Sequence, residues 1–377
     1  MSKHIQKLNK FLNELKGQEA KYTVDVAEKL TKIYGADRRK RRPDTFKDSS
    51  FLYIRSYDGD NGTRPFSNIP FWNSPDIAIS PVSQLGDFTT TLEAGKSYDI
   101  STRLHNRGDL IVPYPKVEFF LTDPTLGFNT TVAKFLGVSQ LPSLLLPANN
   151  GEAHFLYNVP ATEAGHKCLF ARTFSFSPLD KPFDLHALDP RLDRHIAQKN
   201  LNFVAQNTAY AFNLIHQPNA NETIAFMPLT RDQVYAIQHP NMRSLKIGNM
   251  RNTELLRSIK IELTGKTKGK LTQQRDKAGW SFKSANERSL SLDRQSSLLK
   301  QTEAIIQNVY SGKSNFADHK KDLQAFRDMN KSVEKTTMQI TIPDFGLSKG
   351  TAVGFDIVNI NLINGQLKGG ITIIAMG

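Results

Sequence analysis

The chain is 377 residues long and 39% hydrophobic, which suffices for two domains that each bury a core. No apolar stretch approaches the roughly 20 residues of a membrane-spanning helix, so we expect no membrane span. Cys168 is the only cysteine, which excludes an intrachain disulfide and favours a reducing compartment. Because residues 1–17 lack an apolar core and a cleavage site, we predict a cytoplasmic protein, with leaderless export or particle-associated release as the alternative.

The formal net charge of +13 is concentrated in two segments. Residues 1–42 carry a net +7 and residues 251–300 another +7, whereas the rest of the chain carries a net −1. Concentrated positive charge favours acidic partners such as nucleic acid, anionic lipid or an acidic protein surface. Solubility alone is the competing explanation for this charge.

Two short amphipathic helices are predicted near the N-terminus, over residues 4–16 and 23–34. Their apolar positions recur at helical spacing and are Ile5, Leu8, Phe11, Leu12 and Leu15, then Val26, Ala27, Leu30, Ile33 and Tyr34. Short isolated helices are unstable in water, so we expect a helical hairpin that packs on a sandwich or on another subunit. A basic arm follows, in which like charges repel and Pro43 disfavours helix; it consists of Arg38, Arg39, Lys40, Arg41 and Arg42.

Short β-rich runs alternate with turn residues from about residue 50 onward. The runs predicted as strands are 51–54, 76–80, 97–105, 116–121, 153–157, 167–176 and 196–205. Polar and apolar residues alternate over 98–104, and Asn106 and Gly108 mark a turn between strands. These intervals are typical of an immunoglobulin-like β-sandwich, which we place at residues 49–206 after an N-terminal segment of residues 1–48.

A second β-sandwich is predicted over residues 207–377. Its early strands are 210–216, 244–248 and 258–264, and its closing strands are 337–342, 352–359 and 370–375. Between them, residues 284–333 have apolar residues at three- and four-residue intervals, which predicts a helical insertion preceded by a polar loop at 264–274. The predicted fold class is therefore mainly β, with two immunoglobulin-like sandwiches, an N-terminal helical hairpin and a helical insertion in the second sandwich.

Four segments occur in an order that resembles bacterial immunoglobulin-like domains of the CARDB type. They are FWNSPDIAISP (71–81), YDISTRLHNRGD (98–109), GHKCLFARTFSF (165–176) and DRHIAQKNLNFV (193–204). Residues 337–377 resemble the final strands of a related second sandwich, whereas residues 1–50 and 265–335 do not. The resemblance implies a β-sandwich and a role in association, because such domains are attached to proteases, adhesins and particle proteins; it implies no activity.

His166, Cys168, Asp193 and His195 are the best candidates for a metal or nucleophile site. Residues two apart on a strand share a face, and four such ligands could hold zinc. We prefer a structural interpretation, in which a buried cysteine lies beside a hydrogen-bond network and Asp193 and His195 tie the strand to a neighbouring loop. The spacing of these residues does not specify zinc, and the chain has no CxxC pair. We therefore assign no metal, cofactor or catalytic residue.

Trp72 and Asp76 are predicted to anchor the first strand of the sandwich. Trp72 would fill an edge of the core, and the Asp76 carboxylate would accept backbone N–H groups in a turn. A tryptophan that stacks on a ligand is the alternative.

A basic segment at residues 260–282 is the second candidate for partner binding, beside the basic arm. Its candidate residues are Lys266, Lys268, Lys270, Arg275, Lys277 and Trp280. Phosphate contacts next to an aromatic stacking platform would suit single-stranded nucleic acid. An exposed basic loop that docks on an acidic protein is the alternative that we favour, because no nucleic-acid-binding module is recognised.

The sequence therefore favours a non-enzymatic structural or binding protein. We expect protein partners, through self-association or within a larger bacterial assembly. A nucleic-acid-binding protein that uses residues 260–282 is the first alternative. A metal-dependent enzyme that uses His166, Cys168 and His195 is the second.

Overall fold

The computed structural model describes residues 50–377 with gaps at 67–68, 85, 87, 176–179, 185, 217–220, 238, 265–270, 276–278, 285–291, 312, 315, 317, 332 and 363–364. The predicted N-terminal helices and the basic arm lie outside the described residues. The described part is mainly β, as the sequence pattern predicted. None of its helices combines the length and the apolar character that crossing a membrane demands.

Strands dominate both halves of the chain. In the first half they are β1 (Leu52–Tyr53), β2 (Ile77–Pro81), β3 (Thr91–Leu92), β4 (Ser97–Asn106), β5 (Lys116–Thr122), β6 (Thr125–Leu126), β7 (Lys134–Gln140), β8 (Asn149–Asn158), β9 (Gly165–His166), β10 (Cys168–Phe174), β11 (Ile196–Lys199) and β12 (Leu201–Ala205). In the second half they are β13 (Ala209–His216), β14 (Asn221–Pro228), β15 (Lys246–Ile247), β16 (Glu262–Thr264), β17 (Leu271–Arg275), β18 (Trp280–Ser284), β19 (Glu334–Thr341), β20 (Thr351–Asn361) and β21 (Leu367–Met376).

Four α-helices are described in the second half. They are α1 (Arg231–Ala236), α2 (Glu254–Ser258), α3 (Leu292–Tyr310) and α4 (Lys320–Lys331). Helix α1 begins at a capping box, in which the Thr230 hydroxyl accepts the Gln233 N–H and the Gln233 side chain accepts the Thr230 N–H.

The first sandwich consists of two sheets that enclose one apolar core. In one sheet β4 pairs with β1, β2 and β8, and in the other the strand order is β11-β10-β5-β7. Along β4, Tyr98, Ile100 and Leu104 are buried, while Arg103 is exposed on the outer face, as period-two alternation requires. The facing sheet contributes Val117, Phe119, Leu121, Leu169 and Ala171 to the same core.

The second sandwich packs a larger sheet on a smaller one. The larger sheet has the order β12-β21-β20-β14-β18-β17, with β15 also paired to β20, and the smaller has the order β16-β19-β13-β6. Strand β20 is buried along almost its whole length because both of its faces are covered. Phe355 faces the core between the sheets, whereas Ala352 and Val358 pack in separate clusters.

The chain crosses between the sandwiches more than once, and the strand pattern of the sequence did not predict these crossings. Residues 196–205, predicted as one strand of the first sandwich, divide at Asn200. Strand β11 pairs with β10 in the first sandwich, whereas β12 pairs in parallel with the C-terminal strand β21. Strand β6, between β5 and β7 in sequence, likewise pairs with β13 of the second sandwich. The strand pairing thus changes sandwich near Asn200 rather than at residue 206.

The polar loop predicted at 264–274 is wrong in its second half. Strands β17 and β18 pair as a ribbon at the edge of the larger sheet, with Gln273 opposite Phe282. Phe282 is buried, and this apolar residue fixes the ribbon to the core. The strand predicted at 244–248 is also shorter, because Pro240 begins a 3₁₀ helix that continues to Ser244.

The helical insertion lies where the apolar spacing predicted it, between β18 and β19. Ile306 of α3 and Phe326 of α4 pack against Phe183 and Leu192, which precede β11. The Arg327 guanidinium adds a hydrogen bond to the Phe183 carbonyl at 2.8 Å. An insertion in the second sandwich therefore packs on a loop of the first.

Candidate functional site

The structure places Cys168 and His195 at opposite ends of β10. Cys168 begins the strand, whereas the His195 carbonyl accepts the N–H of Thr173. Five residues of strand span about 17 Å, so the hypothesis of a shared zinc or Cys–His site is not supported. Within the described stretches of the chain, no group of three His, Cys, Asp or Glu residues could hold a metal ion.

The Cys168 thiol is a core group. Its Sγ accepts a hydrogen bond from Gln198 Nε2 at 3.3 Å, and burial raises the pKa of the thiol despite this bond. An unionised thiol is a weak nucleophile. The half-buried His166 bonds to Thr91 Oγ1 at 3.0 Å, and burial lowers its pKa.

His195 lies in a buried network of charged groups. Its Nδ1 is 2.6 Å from Asp193 Oδ1 and its Nε2 is 2.9 Å from Asp180 Oδ1. Burial alone would lower the pKa of His195, but Asp193 and Asp180 hold it above its usual value. Asp180 also accepts Arg194 Nη2 at 2.6 Å and the Leu52 N–H at 2.8 Å. The network ties β1 to the start of β11, which agrees with the predicted structural role of Asp193 and His195.

Asp76 anchors the entry to β2 as predicted, although with more partners. Its carboxylate accepts the Arg55 N–H at 2.9 Å, the Arg55 guanidinium at 2.6 Å and His105 Nε2 at 2.8 Å. Burial alone would raise the pKa of Asp76, but the bonds to His105 and Arg55 hold it below its usual value. The site is thus a buried carboxylate fully engaged in cross-linking the chain.

Asn106 forms the predicted turn, but the turn does not close a hairpin. Its Oδ1 accepts the N–H groups of Gly108 at 3.0 Å and of Phe51 at 3.1 Å. Its Nδ2 donates to the carbonyls of Leu110 at 2.7 Å and Leu145 at 3.4 Å. The chain then crosses to β5 in the other sheet, so Asn106 holds several loops together at one end of the sandwich.

Trp72 does not fill an edge of the first core as predicted. Its ring covers Gly370 of β21, where an added Cβ would lie 2.3 Å from the ring atoms. Its Nε1 donates to Thr372 Oγ1 at 3.0 Å, and Asp356 Oδ1 lies 3.4 Å away. Trp72 is 1% exposed, so it joins the two sandwiches and is not available to stack on a ligand.

Asn200 lies at the same junction. Its N–H donates to the Trp72 carbonyl at 2.8 Å, and its side-chain Nδ2 donates to the carbonyls of Thr125 and Gly370 at 2.9 and 2.8 Å. The side chain is fully buried. A single residue thus satisfies backbone carbonyls from three segments of the chain, one with its backbone N–H and two with its side-chain amide.

Asp356 is a buried acid at this junction. Burial raises its pKa to about 6, although the bond from Thr372 Oγ1 at 2.6 Å favours the charged form. The unfolded carboxyl has a pKa near 3.9, so the folded chain binds the additional proton between the two values. Its contribution to stability is therefore complete below about pH 4 and is lost as the pH rises through about 6.

We expect Asp356→Asn to raise the free energy of unfolding at pH 8 by about 2–3 kcal/mol, since a pKa difference of about two units corresponds to that energy. The amide keeps an oxygen for Thr372 and removes the buried charge. Urea denaturation of both proteins at pH 4 and pH 8 measures the difference. If the difference in the free energy of unfolding between the two proteins is no larger at pH 8 than at pH 4, the prediction is contradicted.

A pocket of about 100 Å³ opens where both sandwiches meet the helical insertion. Its charged side chains bind one another: Arg191 Nη2 lies 2.5 Å from Asp189 Oδ2, and Lys368 Nζ donates to Glu222 Oε1. Arg191 Nη1 also donates to Gln366 Oε1 at 3.2 Å. The two positive and two negative charges cancel, so the pocket does not present a field of one sign to a ligand.

The basic segment is only partly described. Lys266, Lys268, Lys270 and Lys277 lie outside the described residues. Trp280 packs against the second core and donates its Nε1–H to the Ile259 carbonyl at 3.1 Å, while the Arg275 guanidinium lies 5.7 Å from its ring centroid. The Trp280 ring is therefore half-buried against the second core, and because four of the lysines beside it lie outside the described residues, the stacking platform stays a prediction.

Sequence reasoning missed several buried charges. Arg64 binds Asp60 through two nitrogens, both at 2.9 Å, and its Nε donates to the Pro190 carbonyl at 2.6 Å. Burial lowers the pKa of Lys199 to about 8, and its Nζ donates to the Ser74 carbonyl at 3.0 Å. No periodic pattern marks these residues, because their partners come from distant loops.

A scan against models of known protein families finds no match, and a search of curated proteins also finds none. Solved structures do show similarity. One is a CARDB domain from Pyrococcus furiosus, with 13% identity and a TM-score of 0.22 over 38% of this chain and 95% of that domain. This is the class of domain that the sequence motifs resemble.

Two other solved structures also show similarity. A β-glucosidase from Listeria innocua matches at 11% identity and a TM-score of 0.18, over 40% of this chain and 22% of the enzyme. The CupB6 tip adhesin from Pseudomonas aeruginosa matches at 9% identity and a TM-score of 0.18, over 81% of this chain and 96% of the adhesin. Similarities this weak carry no information about activity or partners.

Proposed function

We propose that this protein is a non-enzymatic assembly protein, in which two immunoglobulin-like sandwiches form a scaffold and the basic N-terminal segment contacts other copies. The observation that supports this most directly is that the buried ionisable groups bind one another. Asp76, Asp180 and His195 are buried in ion pairs that join segments of the chain. Groups fixed in this way stabilise a frame rather than act on a substrate.

The rival functions draw less support from the described residues. Single-stranded nucleic acid would need an accessible aromatic ring beside the basic residues, and the Trp280 ring is half-buried against the second core with its Nε1–H donated to the Ile259 carbonyl. A metal-dependent enzyme would need Cys168 and His195 close together, and they lie at opposite ends of β10.

We expect the full-length protein to run as an oligomer, and a chain that starts at Ser49 to run as a monomer. The predicted amphipathic helices supply the apolar surface for association, since short helices need a packing partner. Size-exclusion chromatography with light scattering compares the two masses. A full-length protein with the mass of one chain would overturn the proposed function.

A further inference from the structure

Large apolar side chains are exposed at one end of the first sandwich. Tyr114, Leu144 and Leu146 lie on the loops that join β4 to β5 and β7 to β8, and we call them the end surface. Val112 and Leu145 form a bridge between these loops and are both buried. Leu144 and Leu146 flank the buried Leu145, so they point away from the core.

Two further exposed apolar side chains lie on β7. Val138 pairs with Glu118 and Phe135 with Phe120, on the outer face of the sheet. The exposed fractions of these two residues and of the end surface lie between 43% and 51%. Exposed apolar side chains that are grouped, as Tyr114, Leu144 and Leu146 are on two bridged loops, mark an interaction site more often than scattered ones do.

The chain enters the described structure beside the end surface. The Phe51 carbonyl accepts the Arg107 N–H at 3.0 Å, and the Phe51 N–H donates to Asn106 Oδ1. The same Asn106 side chain donates to the carbonyl of Leu145, between the two exposed leucines. Residues 1–49 therefore join the sandwich at the end that carries its exposed apolar side chains.

We propose that the end surface binds the amphipathic segment 4–16 of a second copy of this chain, so that two copies exchange their N-terminal segments. The segment offers a matching apolar stripe at helical spacing: Ile5, Leu8, Phe11, Leu12 and Leu15. Groove binding of an amphipathic helix uses such spacing.

The connection between the predicted helices and the first sandwich favours exchange between copies over binding within one chain. The connection from residue 35 to residue 49 contains the basic arm 38–42, and linkers with like charges repel themselves and extend. Fifteen residues can span about 50 Å when extended. The end surface of the same chain lies beside Phe51, and a connection of this length can carry segment 4–16 beyond it to a second copy. Reciprocal exchange also gives a closed dimer.

This inference rests on the proposed self-association, and cysteine cross-linking tests it separately. Chains with Leu12→Cys and chains with Leu144→Cys are mixed at equal amounts and mildly oxidised. We expect a disulfide-linked peptide pair that joins positions 12 and 144, found by mass spectrometry. The native Cys168 is buried and does not compete. Leu156→Cys replaces Leu144→Cys as the matched control, because Leu156 is 62% exposed on the outer face of the other sheet.

A second measurement uses surface substitutions that leave the core intact. Full-length protein with Leu144→Ser and Leu146→Ser is expected to lose self-association and to run at the mass of one chain, whereas Leu156→Ser keeps the wild-type mass. If the double variant stays oligomeric and no 12–144 link forms, the exchange is wrong while the proposed function stands. A 12–144 link found only within a chain that carries both cysteines also overturns it. A monomeric wild-type protein overturns both.

Discussion

Replacing Trp72 with alanine is expected to lower the free energy of unfolding by about 3–5 kcal/mol, the usual cost of truncating a buried tryptophan. The ring is 1% exposed and lies on Gly370, where no side chain is available to fill the space it leaves. The substitution also removes the donor to Thr372 Oγ1. Urea denaturation followed by circular dichroism measures the change.

The matched control for Trp72 is Leu362→Ala. Leu362 is 47% exposed, and surface substitutions of this kind change stability by less than about 0.5 kcal/mol. If Trp72→Ala unfolds at the same urea concentration as Leu362→Ala, the junction does not contribute to folding. A transition that splits into two steps would instead show that Trp72 couples the sandwiches.

Asp180→Ala is expected to cost about 3–5 kcal/mol, the usual effect of removing one partner from a buried ion pair. The substitution leaves the Arg194 guanidinium and the His195 ring without their shared acceptor, and the Leu52 N–H without its carboxylate. Thermal denaturation measures the loss. Asp328→Asn is the control, because Asp328 is exposed and bonds to Lys331 and Gln324 of its own helix, and we expect no measurable change there.

The same network determines a dependence on pH. Burial opposes the charged forms of Asp180 and Asp193, but Arg194 and His195 hold the pKa of Asp180 below its usual value, and His195 does the same for Asp193. Their contribution is present above about pH 4 and is lost as the pH falls through the lowered values. The pKa of His195 is raised, so its contribution is present below about pH 6.5 and is lost as the pH rises through the raised value. The stability difference between wild type and Asp180→Ala is thus largest between about pH 4 and 6.5, and a difference independent of pH would contradict this account.

The sequence predicted local features better than contacts between distant segments. Alternation along 98–104 correctly predicted β4, and the closeness of Asp193 and His195 correctly indicated a local network. Asp180 completes that network from a loop with no periodic signal, so no pattern pointed to it. The contact of Trp72 with Gly370 joins residues about 300 positions apart, and a single sequence holds no measure of such a distance.

The boundary between β11 and β12 could not be predicted from the sequence for a related reason. Residues 196–205 have one continuous β-rich composition, yet β11 and β12 belong to different sheets. Composition reports that a stretch is extended and does not report which neighbour it pairs with. Trp280 shows a related limit: the nearby lysines suggested an exposed ring, whereas the ring is half-buried against the second core on the paired strands β17 and β18.

Because the backbone runs from β11 directly into β12, the two sandwiches are difficult to separate from each other. With only Asn200 between the two strands, there is no spacer at which recombination could separate one sandwich from the other as a portable module. Cutting there would strip the larger sheet of an edge strand and leave the parallel partner β21 bare, an edge prone to aggregation. We therefore expect the two sandwiches to be cut apart at Asn200 only with loss of the larger sheet's edge.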